Sequence, residues 1–156
     1  MKSLHSLLRT NDSGAMLIAR LALGIVMFPH GAQKVLGWFG GYGFSGTMHF
    51  FTGAMHIPAV FAVLAILAEF LGSLGLIFGF LSRIAALGIA TNMIVAVAMV
   101  HRANGFFINW AGNQKGEGYE YHILAIGLAL IVLIYGAGKA SVDRALSGSA
   151  TTTVQA

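Results

Sequence analysis

The sequence predicts an all-α protein, a bundle of four transmembrane helices with a short interfacial helix between spans 1 and 2. Three observations carry that expectation. Of 156 residues, 57% are hydrophobic and only 9% charged, where a soluble domain carries about a quarter charged residues. Four apolar stretches, each about twenty residues and long enough to cross a bilayer as a helix, are separated by polar or glycine-rich connections. The Lys and Arg residues fall unevenly on those connections, as they do in multi-pass chains.

Composition also excludes several functions. The chain has no cysteine, so thiol catalysis, thiolate zinc sites and iron–sulfur clusters within it are ruled out. The net charge of +4 is spread without a Lys/Arg cluster, which argues against nucleic-acid binding.

Residues 1–13 read as a polar tail, with Asn11, Asp12 or Ser13 able to cap a helix. The first span runs from about Gly14 to Gly37. It contains Arg20, His30 and Lys34 and lacks a small-residue cleavage pattern, so a retained helix is expected rather than a cleaved leader. A glycine- and aromatic-rich connection follows, and Thr47 to His56 suits a helix lying in the interface. Pro58 opens the second span, which ends near Phe80. Ser82-Arg83 reads as a turn, the third span covers Arg83 to Arg102, and the fourth Glu120 to Gly138. One domain over 1–145 is expected, with 146–156 as a disordered C-terminal tail. Lys2, Arg9, Arg83, Lys139 and Arg144 share one side, which places both termini in the cytoplasm.

Glu69 is the ionisable residue at the middle of the second span. A carboxylate at that depth faces protein and needs a partner. Converting sequence position to depth at about 1.5 Å per residue puts Glu69 between Arg20 and His30, level with Asn92 of the third span. On this reading Glu69, Asn92 and the tip of Arg20 meet near the midplane. His30, Lys34, His101, Glu120 and His122 form an outer polar layer, and the interior widens toward the 38–56 and 104–119 connections. Glu69 and His30 are the candidate acid–base groups; Arg20, Lys34, Asn92, His101, Glu120 and His122 are candidate ligand-binding groups. Each has a plainer reading beside the functional one. Arg20–Glu69 is equally a structural ion pair, and the histidines are equally hydrogen-bonding groups. No His pair sits at i, i+4 on one helix, and neither a metal site nor a haem or flavin site is expected.

The motifs Arg20-x-x-x-Gly24, His30-Gly31-x-x-Lys34, Glu69-Phe-Leu-Gly72, His101-x-x-Asn104-Gly-Phe-Phe107, Gly118-x-Glu120-Tyr121 and Gly136-x-Gly138-x-x-Ser141-x-Asp143 occur in that order. In order and spacing they resemble the DoxX family of small bacterial membrane proteins, over about residues 15–145. The resemblance implies a four-helix protein of the bacterial cytoplasmic (inner) membrane, associated with oxidoreductase systems. Some members resemble the small subunit of a thiosulfate–quinone oxidoreductase. A bound quinone, a partner oxidoreductase subunit and a homo-oligomer are the cofactor and partners this admits, besides the lipid bilayer. The expected function is therefore a membrane oxidoreductase component holding a quinone-like molecule inside the bundle. The alternatives are a pathway for a small anion or protons, or an assembly or anchor subunit.

Overall fold

The computed structural model describes residues 7–147. Four long helices dominate: α1 (Gly14–Val35), α3 (Ala59–Phe78), α4 (Ser82–Met99) and α5 (Glu120–Tyr135). Two short helices complete it, α2 (Gly43–His49) and α6 (Val142–Ser147). No strand occurs among the described residues. The long helices run antiparallel around a closed ring, α1 against α3, α3 against α4, α4 against α5, and α5 back against α1. The fold class expected from the sequence is the one observed.

The distribution of polarity is that of a protein in lipid. Apolar side chains point outward, with Ile18, Val60, Leu124 and Ile134 each more than 60% exposed. The charged residues Arg20, Glu69 and Asp143 are buried. In water this would be unfavourable on both counts; in hydrocarbon the outer face is solvated by lipid and the charges must turn inward. Between them lies an apolar core of Leu23, Met27, Leu76, Ile89, Met93, Ala129 and Val132.

Local sequence explains most boundaries. The Ser13 side chain accepts from the Met16 amide and caps α1. Pro58 stands immediately before α3, where its missing N–H costs nothing. Gly79 ends α3 in the left-handed conformation. The expected turn at Ser82-Arg83 falls instead at Gly79 to Leu81, with Ser82 already helical. The cause is distant in sequence: the buried Asp143 carboxylate accepts from the Leu81 and Ser82 amides (2.7 and 2.9 Å) and so caps α4. The fourth span is shorter than expected because Gly136, at φ 86°, breaks the helix after Tyr135.

The interfacial element also differs in detail. It starts at Gly43 rather than Thr47, and it loosens into a π-helical turn over Phe50–Ala54. Of the tail expected at 146–156, Leu146 and Ser147 belong to α6; residues 148–156 lie outside the described residues, as does Lys2.

One helix contact sets the register on which the site depends. A Cβ on Gly31 would stand 2.6 Å from Phe70 Cα, and one on Gly24 would stand 3.0 Å from Ile77 and Leu76 side-chain atoms. These glycines let the α1 and α3 backbones approach closely, as small residues do between helices in membranes. Seven residues up α1 match seven residues back along α3, so Glu69 lies opposite Ala32.

Candidate functional site

That register decides which cation meets Glu69. Arg20 is about twelve residues below the level of Ala32, or roughly 18 Å along the helix, beyond the reach of its side chain. Lys34 is half a turn above, and its Nζ lies 2.5 Å from Glu69 Oε2. The expected Arg20–Glu69 meeting therefore does not occur. The depth scale drawn from sequence aligned the ends of α1 and α3. In the fold, α1 overhangs the α3–α4 turn by a full turn and more, and Gly138 packs on Met16 in that overhang.

Arg20 has a different task. Its Nε donates to the Ala137 carbonyl (3.0 Å) and Nη1 to those of Leu76 and Ile77 (2.6 and 2.7 Å). Its Nη2 donates to those of Lys139 and Ala140 (3.4 and 2.9 Å). It adds a charged donor to carbonyls at the C-terminus of α3, where the Leu76 carbonyl also accepts from the Gly79 amide, and in the 137–140 turn, and it ties α1 to both. Arg83 does similar work nearby, donating to the carbonyls of Leu133, Ile134 and Arg9.

Above this closed end the bundle opens into a cavity of about 460 Å³. The nearly buried Met27 and Met93 form its floor. Lys34, Glu69 and Asn92 supply one polar wall, and His30, His101, His122 and Tyr121 another. Asn92 Nδ2 donates to the Ala65 carbonyl (2.7 Å) and lies 3.5 Å from Glu69 Oε1. The Glu69 carboxylate is thus held between a cation and a carboxamide.

The histidines group as rings. His101 and His122 lie with centroids 4.1 Å apart, and Tyr121 stands 5.5 Å from His122 and 6.4 Å from His30. Tyr121 donates its hydroxyl to Met27 sulfur (3.2 Å). His122 is buried, and its Nδ1 has no hydrogen-bond partner among the described residues. A buried unpaired nitrogen is costly, and this one belongs to a side chain that lines the chamber. Among the described residues no group of three or more His, Cys, Asp or Glu side chains is arranged to hold a metal ion.

Six expected site residues line this cavity: His30, Lys34, Glu69, Asn92, His101 and His122. Two do not. Arg20 lies at the closed end, and Glu120 is turned to the loop, where its Oε1 accepts from the Ile108 amide (2.9 Å). A carboxylate in the first turn of a helix is more readily satisfied by loop amides than by projecting into an apolar chamber. The structure adds Tyr121, the methionine walls Met27, Met55, Met93 and Met99, and Phe50 and Phe51. In sequence the methionines are indistinguishable from lipid-facing apolar positions.

Fold and site together define a small multi-pass integral membrane protein with an apolar chamber whose lining carries an ion pair and a cluster of imidazoles. Residues 15–102 match the DoxX family, and the chain belongs to that family. It is 30% identical over 132 residues to the inner membrane protein YqjF of Escherichia coli (strain K12), a match spanning 85% of this chain and 92% of that protein. No solved structure matches the chain.

Proposed function

We propose that the protein is a component of an oxidoreductase system in the bacterial inner membrane and that it holds a quinone or quinone-like ring in the cavity. The observation that carries this reading is an apolar chamber whose lining holds both an ion pair and a cluster of imidazole and phenol rings. Glu69 contacts Lys34 and Asn92, and His122, whose Nδ1 is unpartnered among the described residues, lines the same chamber. A flat ring with polar substituents and apolar faces is a ligand class that suits an apolar chamber with both kinds of polar group in its lining. The volume of about 460 Å³ falls within the usual range for small-molecule sites, about 300–1,000 Å³. Methionine walls adapt to ring shape and make favourable sulfur–aromatic contacts.

A bound quinone would supply two-electron, two-proton redox chemistry, with electrons from a partner subunit. The protein's own residues hold and orient. Lys34 donates a charge-assisted hydrogen bond, Glu69 keeps that ammonium in place, and His30 and His122 present nitrogens able to give or take a proton. Arg9, Arg83, Lys139 and Arg144 cluster at the closed end, and this supports cytoplasmic termini with the cavity's loop side outward. A C-terminal fluorescent-protein fusion should then be bright and an alkaline phosphatase fusion silent; the reverse pattern would invert this topology.

The direct test is mass analysis of small molecules retained by protein purified in mild detergent, compared with Glu69→Gln. Wild type should carry a quinone that a well-folded Glu69→Gln protein has lost. Retention of nothing by either, with liposome flux of anions or protons that depends on Glu69, would instead favour the permeation reading.

A further inference from the structure

The cavity has two sides by which a molecule could enter, and they are built differently. The roof, made by the 103–119 connection, is tied down. Glu117 Oε2 accepts from the Asn109 amide (2.7 Å), Glu120 Oε1 from the Ile108 amide (2.9 Å), and His101 Nδ1 lies 2.9 Å from the Glu117 carbonyl. The flank between α3 and α4 is not tied. These helices pack closely from the Gly75–Ala85 level through Gly88 against Ala68 to Asn92, which bonds the Ala65 carbonyl. Beyond that level the wall is made by Phe50, Phe51, Met55 and Ile57 on one side and by Val95, Ala96 and Met99 of α4 with Val100 just after it on the other. The Phe50–Ala54 turn leans on α2 and α3 and has no comparable contact with α4. No hydrogen bond among the described residues bridges the two sides.

The side chains on this flank are only partly covered: Phe50, Val95, Met99 and Val100 line the cavity and are 42–49% exposed. In a membrane-spanning bundle, an exposed apolar face at this level lies against lipid at the boundary of acyl chains and headgroups. The π-helical winding of Phe50–Ala54 is a further local weakness of the kind often found at functional sites.

We propose that the cavity is loaded sideways from the bilayer, through the slot between Phe50–Ile57 and Val95–Val100. The occupant is an amphiphile whose polar ring enters the chamber and whose apolar chain remains in the slot. The identity of the ring rests on the function proposed above; the route does not. A water-soluble substrate would need the hydrogen-bonded roof to open, whereas an amphiphile already in the bilayer needs only side-chain motion of Met99, Val95 and Phe50.

Two measurements separate route from ring. The chain has no native cysteine, so Ala96→Cys, in the lining, takes a single spin label. In vesicles it should collide with membrane-dissolved oxygen and be shielded from a water-soluble nickel chelate. Preferential access of the chelate, or of neither, would overturn the lateral route. Separately, Met99→Trp should weaken binding of a benzoquinone bearing two isoprenyl units at least tenfold, and change binding of the same ring without the chain less than twofold. Equal effects on both, or none on either, would remove the chain from the slot. If wild type binds neither compound, the ring assignment fails and the label accessibility alone decides the route.

Discussion

Arg20→Ala should leave a protein that cannot be purified as a single folded species, or one that unfolds far below wild type. The guanidinium is 1% exposed and donates to five carbonyls from α3 and the 137–140 turn. Hydrogen bonds to charged groups contribute about 1.5–3 kcal/mol each and are not additive. The Leu76 carbonyl keeps the Gly79 amide while the others lose their charged donor, so a net loss of about 3–5 kcal/mol is expected. Arg20→Lys should recover only a minor part, since an ammonium cannot reach carbonyls on two segments as a planar fork does. Size-exclusion profile and thermal unfolding in detergent read both variants. A monodisperse Arg20→Ala protein with wild-type unfolding would show that the five-carbonyl clamp is dispensable.

The second large effect is an asymmetry within the Lys34–Glu69 pair. Lys34→Met removes the cation from a carboxylate that is 8% exposed, leaving Asn92 at 3.5 Å as its remaining side-chain partner. Breaking a buried pair from one side costs about 3–5 kcal/mol. Glu69→Gln should cost less, because the Lys34 side chain is 24% exposed and can extend its ammonium toward water. The double variant Lys34→Met/Glu69→Gln should then be more stable than Lys34→Met alone, since no unpaired charge remains. Ligand retention should be lost in all three. Thermal unfolding of the four proteins forms a cycle; additive losses across it would mean that the two side chains are not coupled, whatever their separation.

The folded-but-empty behaviour expected of Glu69→Gln and the unfolding expected of Arg20→Ala follow from one geometric difference. Both residues are ionisable groups inside helices, and sequence position alone ranks them alike. Arg20 meets backbone at the closed end of the bundle, where five acceptors converge. Glu69 meets side chains on the wall of a chamber with room for another molecule. The first arrangement holds helices together, and the second is free to exchange partners.

Sequence alone was enough for the fold class, the four spans to within a few residues, and the membrane setting. Each rests on runs of apolar residues about as long as a bilayer is thick, and that is a local property. It also marked His30, Lys34, Glu69, Asn92, His101 and His122 as interior polar groups, because helical rise converts position to depth within each span, but in two layers, which the packed bundle brings onto one cavity. What it could not supply was the relative height of neighbouring helices. The offset of α1 against α3 is set by Gly24 and Gly31 seating on Ile77 and Phe70, a contact between surfaces 39 to 53 residues apart. That offset exchanged Arg20 for Lys34 as the partner of Glu69. The role of Asp143 was hidden for the same reason, since the amides it caps are some sixty residues away. Composition and spacing decide which groups are buried; only the packed register decides which of them touch.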